Sequence, residues 1–290
     1  VNLADAMARA VEASAAVLGT TSPNPPVGCV VLDASGEPVG VGATRPPGGP
    51  HAEVVALREA GDRAVGGTAV VTLEPCAHHG RTPPCTDALL AAGVRRVVHA
   101  VSDPNPTAAG GADVLRAAGV EVESGFLAEV VGDGPLRAWL HFARTGRPHV
   151  TWYASDDAEK DEHIARADAI VSGMRTAPSS GTPGPYRPLR VDVGHPAHAH
   201  DVDAALAGRD VVDVVLVGGP TLAGAFAAAG RLDRVLAHLA PELLGDGRLV
   251  LSGTGVATAA GTVGPDAVGL VVERVTMSGP GLRVSAVPVR

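Results

Sequence analysis

The sequence predicts an α/β protein of two domains, and three observations carry that prediction. Runs of β-branched residues alternate with segments of helical period through the first half of the 290 residues. The stretch Arg144-Thr145-Gly146-Arg147-Pro148 then reads as a linker. A second set of strand-like runs follows it and ends in a hairpin pattern about Gly279-Pro280-Gly281. The domains are accordingly placed at residues 1–145 and 146–290.

The elements follow in order. Asn2 to Leu18 carries apolar residues at helical spacing on an Ala-rich background. Val27 to Leu32 and Val39 to Ala43 read as strands about a turn at Gly36. His51 to Ala60 reads as a helix and Thr68 to Leu73 as a strand that stops at Glu74-Pro75. Pro83-Pro84 opens a helix over Thr86 to Ala92, which Gly93 ends. Arg95 to Val101 and Val120 to Glu123 are strands about a helix near Ala112 to Ala118. In the second half, strands are expected at His149 to Ala154, Ala169 to Ser172, Leu189 to Val193 and Val211 to Val217. A helix is expected from Pro220 to Ala229, and the closing hairpin spans Ala267 to Met277 and Leu282 to Val289.

Composition narrows the function. Apolar residues make up 46% of the chain and aromatics 2%, so the core must be built from Ala, Val and Leu. No apolar run is long enough to span a bilayer, and Asp5 stands where a secretion signal would carry a basic region. The net charge of −8 opposes binding to a phosphate backbone, so no nucleic-acid partner is expected. Lys160 is the only lysine. Three cysteines do not make a disulfide framework, and free thiols fit a cytoplasmic protein.

Two of those cysteines belong to a motif. His51-Ala52-Glu53 is followed by Pro75-Cys76 and by Cys85. One imidazole and two thiolates are three zinc ligands, and a catalytic zinc keeps its fourth position for water. Zinc-bound water loses a proton near neutral pH. Glu53 lies too close to His51 for easy shared ligation and is suited to moving protons instead. This is the H-x-E…P-C signature of zinc deaminases, in which the Glu is the general acid/base. The sequence departs from the usual P-C-x-x-C, because the eight residues Ala77 to Pro84 separate the two cysteines. An insert between two ligands must loop out beside the metal, where a substrate would bind.

The run from Thr72-Leu73-Glu74-Pro75-Cys76 to Thr82-Pro83-Pro84-Cys85 resembles the deaminase domain of the bifunctional riboflavin-biosynthesis deaminase/reductases. The resemblance extends to Pro23-Asn24-Pro25-Pro26-Val27-Gly28 and Asp103-Pro104-Asn105-Pro106. It implies a cytidine-deaminase-like three-layer α/β/α domain. It also implies zinc on His51, Cys76 and Cys85, catalysis by Glu53, and substrate contacts at Asn24, His78, Arg81, Asp103 and Asn105. The implied substrate is 2,5-diamino-6-ribosylamino-4(3H)-pyrimidinone 5′-phosphate, which would lose its 2-amino group by hydrolysis. A homo-oligomer is implied as well.

The second half resembles the family's reductase domain, of dihydrofolate-reductase-like α/β fold, through Val217-Gly218-Gly219-Pro220-Thr221 and Ala229-Gly230-Arg231-Leu232-Asp233. Glycines between strand and helix let backbone N–H groups approach a phosphate. The resemblance implies NADPH at Gly173, Gly218, Gly219 and Thr221, and substrate at Ser155 and Asp157. Three departures count against full reductase activity. Thr151 stands where a Lys is expected and Ala158 where a Gly is expected. The domain is short around Asp161 to Ala167 and Pro178 to Asp201. A family Thr-x-x-x-Asp-Asp-Pro pattern is not recognisable after Ser172-Gly173-Met174-Arg175-Thr176. An alternative reading is a deaminase of another small nucleotide or antibiotic precursor, with a non-catalytic second domain.

Overall fold

The structure is a computed structural model and describes residues 1–80, 82–154, 158–172, 188–192, 202, 206, 209–239, 269–279 and 281–289. The chain divides into two compact units, Val1–Arg147 and Pro148–Arg290.

The first unit is a five-stranded mixed sheet flanked by helices. Its strands are β1 (Gly28–Leu32), β2 (Pro38–Ala43), β3 (Thr68–Leu73), β4 (Arg96–Val101) and β5 (Glu121–Ser124), in the spatial order β2-β1-β3-β4-β5. The β1 strand pairs antiparallel with both β2 and β3, whereas β3, β4 and β5 run parallel. All five residues of β1 are buried, as the unbroken apolar run requires. The helices are α1 (Leu3–Ala15), α2 (Ala52–Ala60), α3 (Cys85–Ala91), α4 (Gly111–Ala117), α5 (Ala128–Gly132) and α6 (Arg137–Thr145). Asn2 caps α1 by accepting from the Asp5 N–H at 2.8 Å. The sequence reading placed α1 to α4 and β1 to β5 within a few residues but assigned no helix to α5 or α6.

Glycine sets the seat of α2. A Cβ on Gly42 would fall 2.2 Å from the carbonyl oxygen of Ala52, and one on Gly40 2.2 Å from that of Ala56. Only bare backbone lets the helix lie directly on β2. The N-terminus of α2 carries His51 and Glu53, so this close approach fixes where the motif sits.

The second unit has a seven-stranded sheet. Its strands are β6 (His149–Tyr153), β7 (Ala169–Ser172), β8 (Leu189–Asp192), β9 (Asp213–Val217), β10 (Arg234–Leu239), β11 (Leu270–Ser278) and β12 (Gly281–Pro288). The order is β11-β12-β10-β6-β9-β7-β8, parallel from β10 through β8 and antiparallel at the β11–β12 hairpin and its junction with β10. Gly279, at φ 57°, makes the hairpin turn. One face of the sheet packs a core around Trp152, Leu216 and Phe226, to which the helix Pro220–Ala228 contributes. Two elements went unread in the sequence, the helix α7 (Ala158–Arg166) and strand β10. None of the residues of α7 is buried.

Candidate active site

The three predicted ligands arrive from three elements. His51 is the N-cap residue of α2, Cys76 follows the end of β3, and Cys85 is the first residue of α3. Their ligand atoms all lie within 4.8 Å of one another. The His51 Nδ1 is 3.2 Å from Cys85 Sγ and 3.6 Å from Cys76 Sγ. A tetrahedral zinc with ordinary Zn–N and Zn–S bonds separates those atoms by about 3.6 Å. The donor set and its spacing therefore fit zinc. The other ring nitrogen, Nε2, lies 3.4 Å from Thr82 Oγ1, which orients the imidazole from behind. The Cys85 backbone N–H donates to Cys76 Sγ at 3.4 Å.

The electrostatics couple the three side chains. A hydrogen bond from Cys85, helped by His51, draws the Cys76 thiol down to about 4. Cys85 keeps its proton as the donor of that bond, and its thiol is pushed up. His51 is raised, first by its hydrogen bond to Cys76. A bound metal would take the place of these protons. Glu53 is 3% exposed, and burial raises its carboxyl above the usual range, with the Cys76 charge adding to the effect. A buried carboxyl of raised pKa beside a metal site is placed to accept and return a proton.

The ligands and Glu53 open onto a cavity of about 370 Å³. Asn24, His78, Asp103 and Asn105, which the sequence reading named as substrate contacts, all line it. The Nδ1 atom of His78 is buried and has no hydrogen-bond partner among the described residues. Asp103 Oδ1 accepts from the Asn105 N–H at 2.8 Å, and Asn105 Oδ1 from the Thr107 N–H at 3.1 Å. Burial raises the Asp103 carboxyl. Among the lining residues that sequence reasoning missed are Thr44, Glu74, Thr82 and Trp139. Thr82 and Glu74 were visible inside quoted motifs. Trp139, on α6, gave no motif signal. Arg81 lies outside the described residues, although its neighbours Gly80 and Thr82 line the cavity.

In the second unit, Gly218 and Gly219 join β9 to the helix Pro220–Ala228, with Gly219 as N-cap and Pro220 in the first turn. A Cβ on Gly219 would meet nothing within 4 Å among the described residues. Trp152 Nε1 donates to the Gly218 carbonyl at 2.9 Å and holds the turn in place. Thr221, the second residue of the helix, is exposed. The first turn of a helix has N–H groups without intrahelical partners, so Gly218, Gly219 and Thr221 fit a cofactor phosphate. Thr151 is 1% exposed, with Oγ1 3.4 Å from His149 Nδ1, and presents no cation. Ser155, Asp157 and Gly173 lie outside the described residues.

Among the described residues no helix is long and apolar enough to cross a membrane. Residues 2–101 match the cytidine and deoxycytidylate deaminase zinc-binding region, and residues 190–269 match the RibD C-terminal domain. The chain is 47% identical to the riboflavin biosynthesis protein RibD of Mycobacterium tuberculosis over 83% of its own length and 86% of that relative. It is 34% identical to the Escherichia coli RibD over 82% and 88% of the two chains. A diaminohydroxyphosphoribosylaminopyrimidine deaminase/5-amino-6-(5-phosphoribosylamino)uracil reductase of Thermotoga maritima superposes with a TM-score of 0.80, at 26% identity and 99% coverage of both chains. With both halves of the pattern present in one chain, this protein belongs to the RibD family of bifunctional riboflavin-biosynthesis deaminase/reductases.

Proposed function

We propose that residues 1–145 hydrolytically deaminate 2,5-diamino-6-ribosylamino-4(3H)-pyrimidinone 5′-phosphate, and that residues 146–290 form the NADPH-dependent reductase half, with weakened cofactor binding. The observation that carries the first reaction is the His51–Cys76–Cys85 triangle with the buried Glu53 beside it. Zinc, held there, supplies a water acidic enough to react near neutral pH. Glu53 would carry one proton of the attacking water to the ring nitrogen as the C–O bond forms, and then the remaining hydroxyl proton to the amine as the C–N bond breaks and ammonia leaves. His78 Nδ1, buried and without a hydrogen-bond partner among the described residues, is a candidate contact for the pyrimidine. Asn24, Asp103 and Asn105 line the cavity around it. Arg81 pairs with the 5′-phosphate, a bidentate match for guanidinium. Ser155 and Asp157 contact the substrate of the second reaction, and Gly173, Gly218, Gly219 and Thr221 hold NADPH.

The compartment proposed is the cytoplasm, where thiol ligands stay reduced. The assembly proposed is a homo-oligomer. Edge strand β11 leaves Val271, Val272, Val275 and Met277 each more than half exposed, and an apolar edge of that kind calls for a partner. The deciding experiment is ammonia release from the phosphorylated diaminopyrimidine by the zinc-loaded chain. Steady zinc-dependent release is expected; none from a folded, zinc-loaded protein would overturn the reading.

A further inference from the structure

We infer that Glu74 is a positioning residue for the deaminase site, tying the zinc-ligand segment to the loop that faces the substrate. The inference rests on the deaminase reading above and adds to it a residue with no direct part in the chemistry. Glu74 sits two residues before Cys76 and is 8% exposed. Its carboxylate accepts three backbone hydrogen bonds from residues remote in sequence. Oε2 accepts from the Asp103 N–H at 3.2 Å. Oε1 accepts from the Gly110 N–H at 3.2 Å and the Ala112 N–H at 3.1 Å. Both ends of the segment 103–112 therefore close on one side chain.

Other contacts run along the same seam. The Glu74 N–H donates to the Val101 carbonyl at 2.8 Å, and the Ala77 N–H to the Ala108 carbonyl at 3.3 Å. A Cβ on Gly111 would lie 1.7 Å from the Pro75 carbonyl oxygen, so the start of α4 rests on the ligand segment itself. Cys76, which would hold zinc, lies on one side of this seam, and the cavity-lining residues Asp103 and Asn105 lie on the other. The Glu74 carboxylate fixes one relative to the other. Three N–H donors on two oxygens are a demand that an ionised carboxylate meets and an amide does not. In Glu74→Gln one side-chain atom becomes a donor that must face an N–H. Backbone N–H groups left without an acceptor in a buried place are costly, so the loop must shift to find water.

The test uses full-length, zinc-loaded protein. Glu74→Gln, Asn105→Ala and the double variant are compared by zinc content, KM and kcat for the phosphorylated diaminopyrimidine. Glu74→Gln should keep zinc at one per chain and raise KM about tenfold or more, with a smaller change in kcat. Asn105→Ala should cost much less in the Glu74→Gln background than in the wild type, because its loop has already moved. An unchanged KM, or costs that simply add, overturns the inference. So does loss of zinc or of cooperative unfolding in Glu74→Gln, which would make the residue a brace for the fold. A wild type that releases no ammonia instead overturns the deaminase reading, a different and separately visible outcome.

Discussion

Glu53 in the first unit and Asp213 in the second are carboxylates sheltered by a sheet and its helices, and they are used in opposite ways. Burial raises Glu53, and the charge at Cys76 raises it further. Burial alone would raise Asp213 too, but His163 outweighs it and holds the carboxyl low. The His163 Nε2 to Asp213 Oδ2 distance is 2.6 Å, and Tyr153 OH meets the other ring nitrogen at 3.0 Å. One carboxylate is left poised for proton transfer, whereas the other is consumed in holding α7 to the sheet. The difference teaches that burial of an acid does not mark a catalytic group until its counter-charge is found.

Substitution at Glu53 is the sharpest break of that comparison. Glu53→Gln should keep zinc and lower ammonia release by about 10²–10⁴-fold, the usual worth of a general acid/base. Stripping zinc with a chelator should abolish release altogether and leave NADPH binding unchanged. Near-normal turnover by zinc-loaded Glu53→Gln protein would mean that the proton moves by another route.

At Asp213 the expected loss is in stability, with a pH signature. Breaking a fully buried pair costs about 3–5 kcal/mol; His163 and Asp213 are only partly buried, so Asp213→Ala should cost about 3 kcal/mol, the low end of that range, near pH 6. Burial would lower His163, but Asp213 raises it overall. Its contribution is therefore complete below the unfolded value of about 6.5 and fades as pH rises through the folded value. Asp213 is lowered, so its share is complete above about 3.9 and fades as pH falls. The pair contributes most between those limits. Denaturant unfolding of full-length protein at pH 6 and pH 9 checks this: the cost of Asp213→Ala should shrink at pH 9. An equal cost at both would show that His163 is uncharged.

These two sites also mark how far the sequence could be read. The zinc triangle was legible because its residues are few, chemically unusual and set at short spacing on either side of a strand end. The seating of α2 on Gly40 and Gly42 was not, since close approach is a property of two elements. Helix α7 was illegible for a physical reason: Ala158–Arg166 has no apolar stripe to read. It docks through polar pairs, His163 with Asp213 and Glu159 with His238 and Arg283, and through Ile164 against the cluster of Tyr153, Val215 and Leu236. Glu74 stood in plain view beside Pro75, but its partners lie 29 to 38 residues away and only folding brings them to it. Trp139 likewise reaches the cavity from a helix that no motif announced.

The comparison sharpens further at the cofactor. The Gly218–Gly219 turn is present, but Thr151, where the sequence reading expected a Lys, is buried with Oγ1 3.4 Å from His149 Nδ1. Loss of even two charge-assisted contacts, at roughly 1.5–3 kcal/mol each, weakens NADPH binding by about a hundredfold or more. Calorimetric titration of the chain beside the E. coli relative measures this. Matching micromolar affinities with steady reduction of the deaminated product would show that other residues have taken over the missing charge.

The smallest effect expected is at Arg81, and it asks whether the first unit reads its substrate by charge as well as by shape. The residue lies between Gly80 and Thr82, both of which line the cavity, in a chain of net charge −8. A phosphorylated ligand entering so acidic a protein needs a local cation, and arginine matches the phosphate with two parallel donors. Arg81→Ala should therefore cost about 1.5–3 kcal/mol in binding of the phosphorylated substrate, the range for a hydrogen bond to a charged group. The unphosphorylated nucleoside should lose little, because nothing on it answers the guanidinium. The expected sign is thus a rise in KM confined to the phosphorylated form, with kcat held by Glu53 and the three ligands. Equal losses for the two substrates would assign Arg81 to shaping the loop, and the phosphate would have to be met elsewhere.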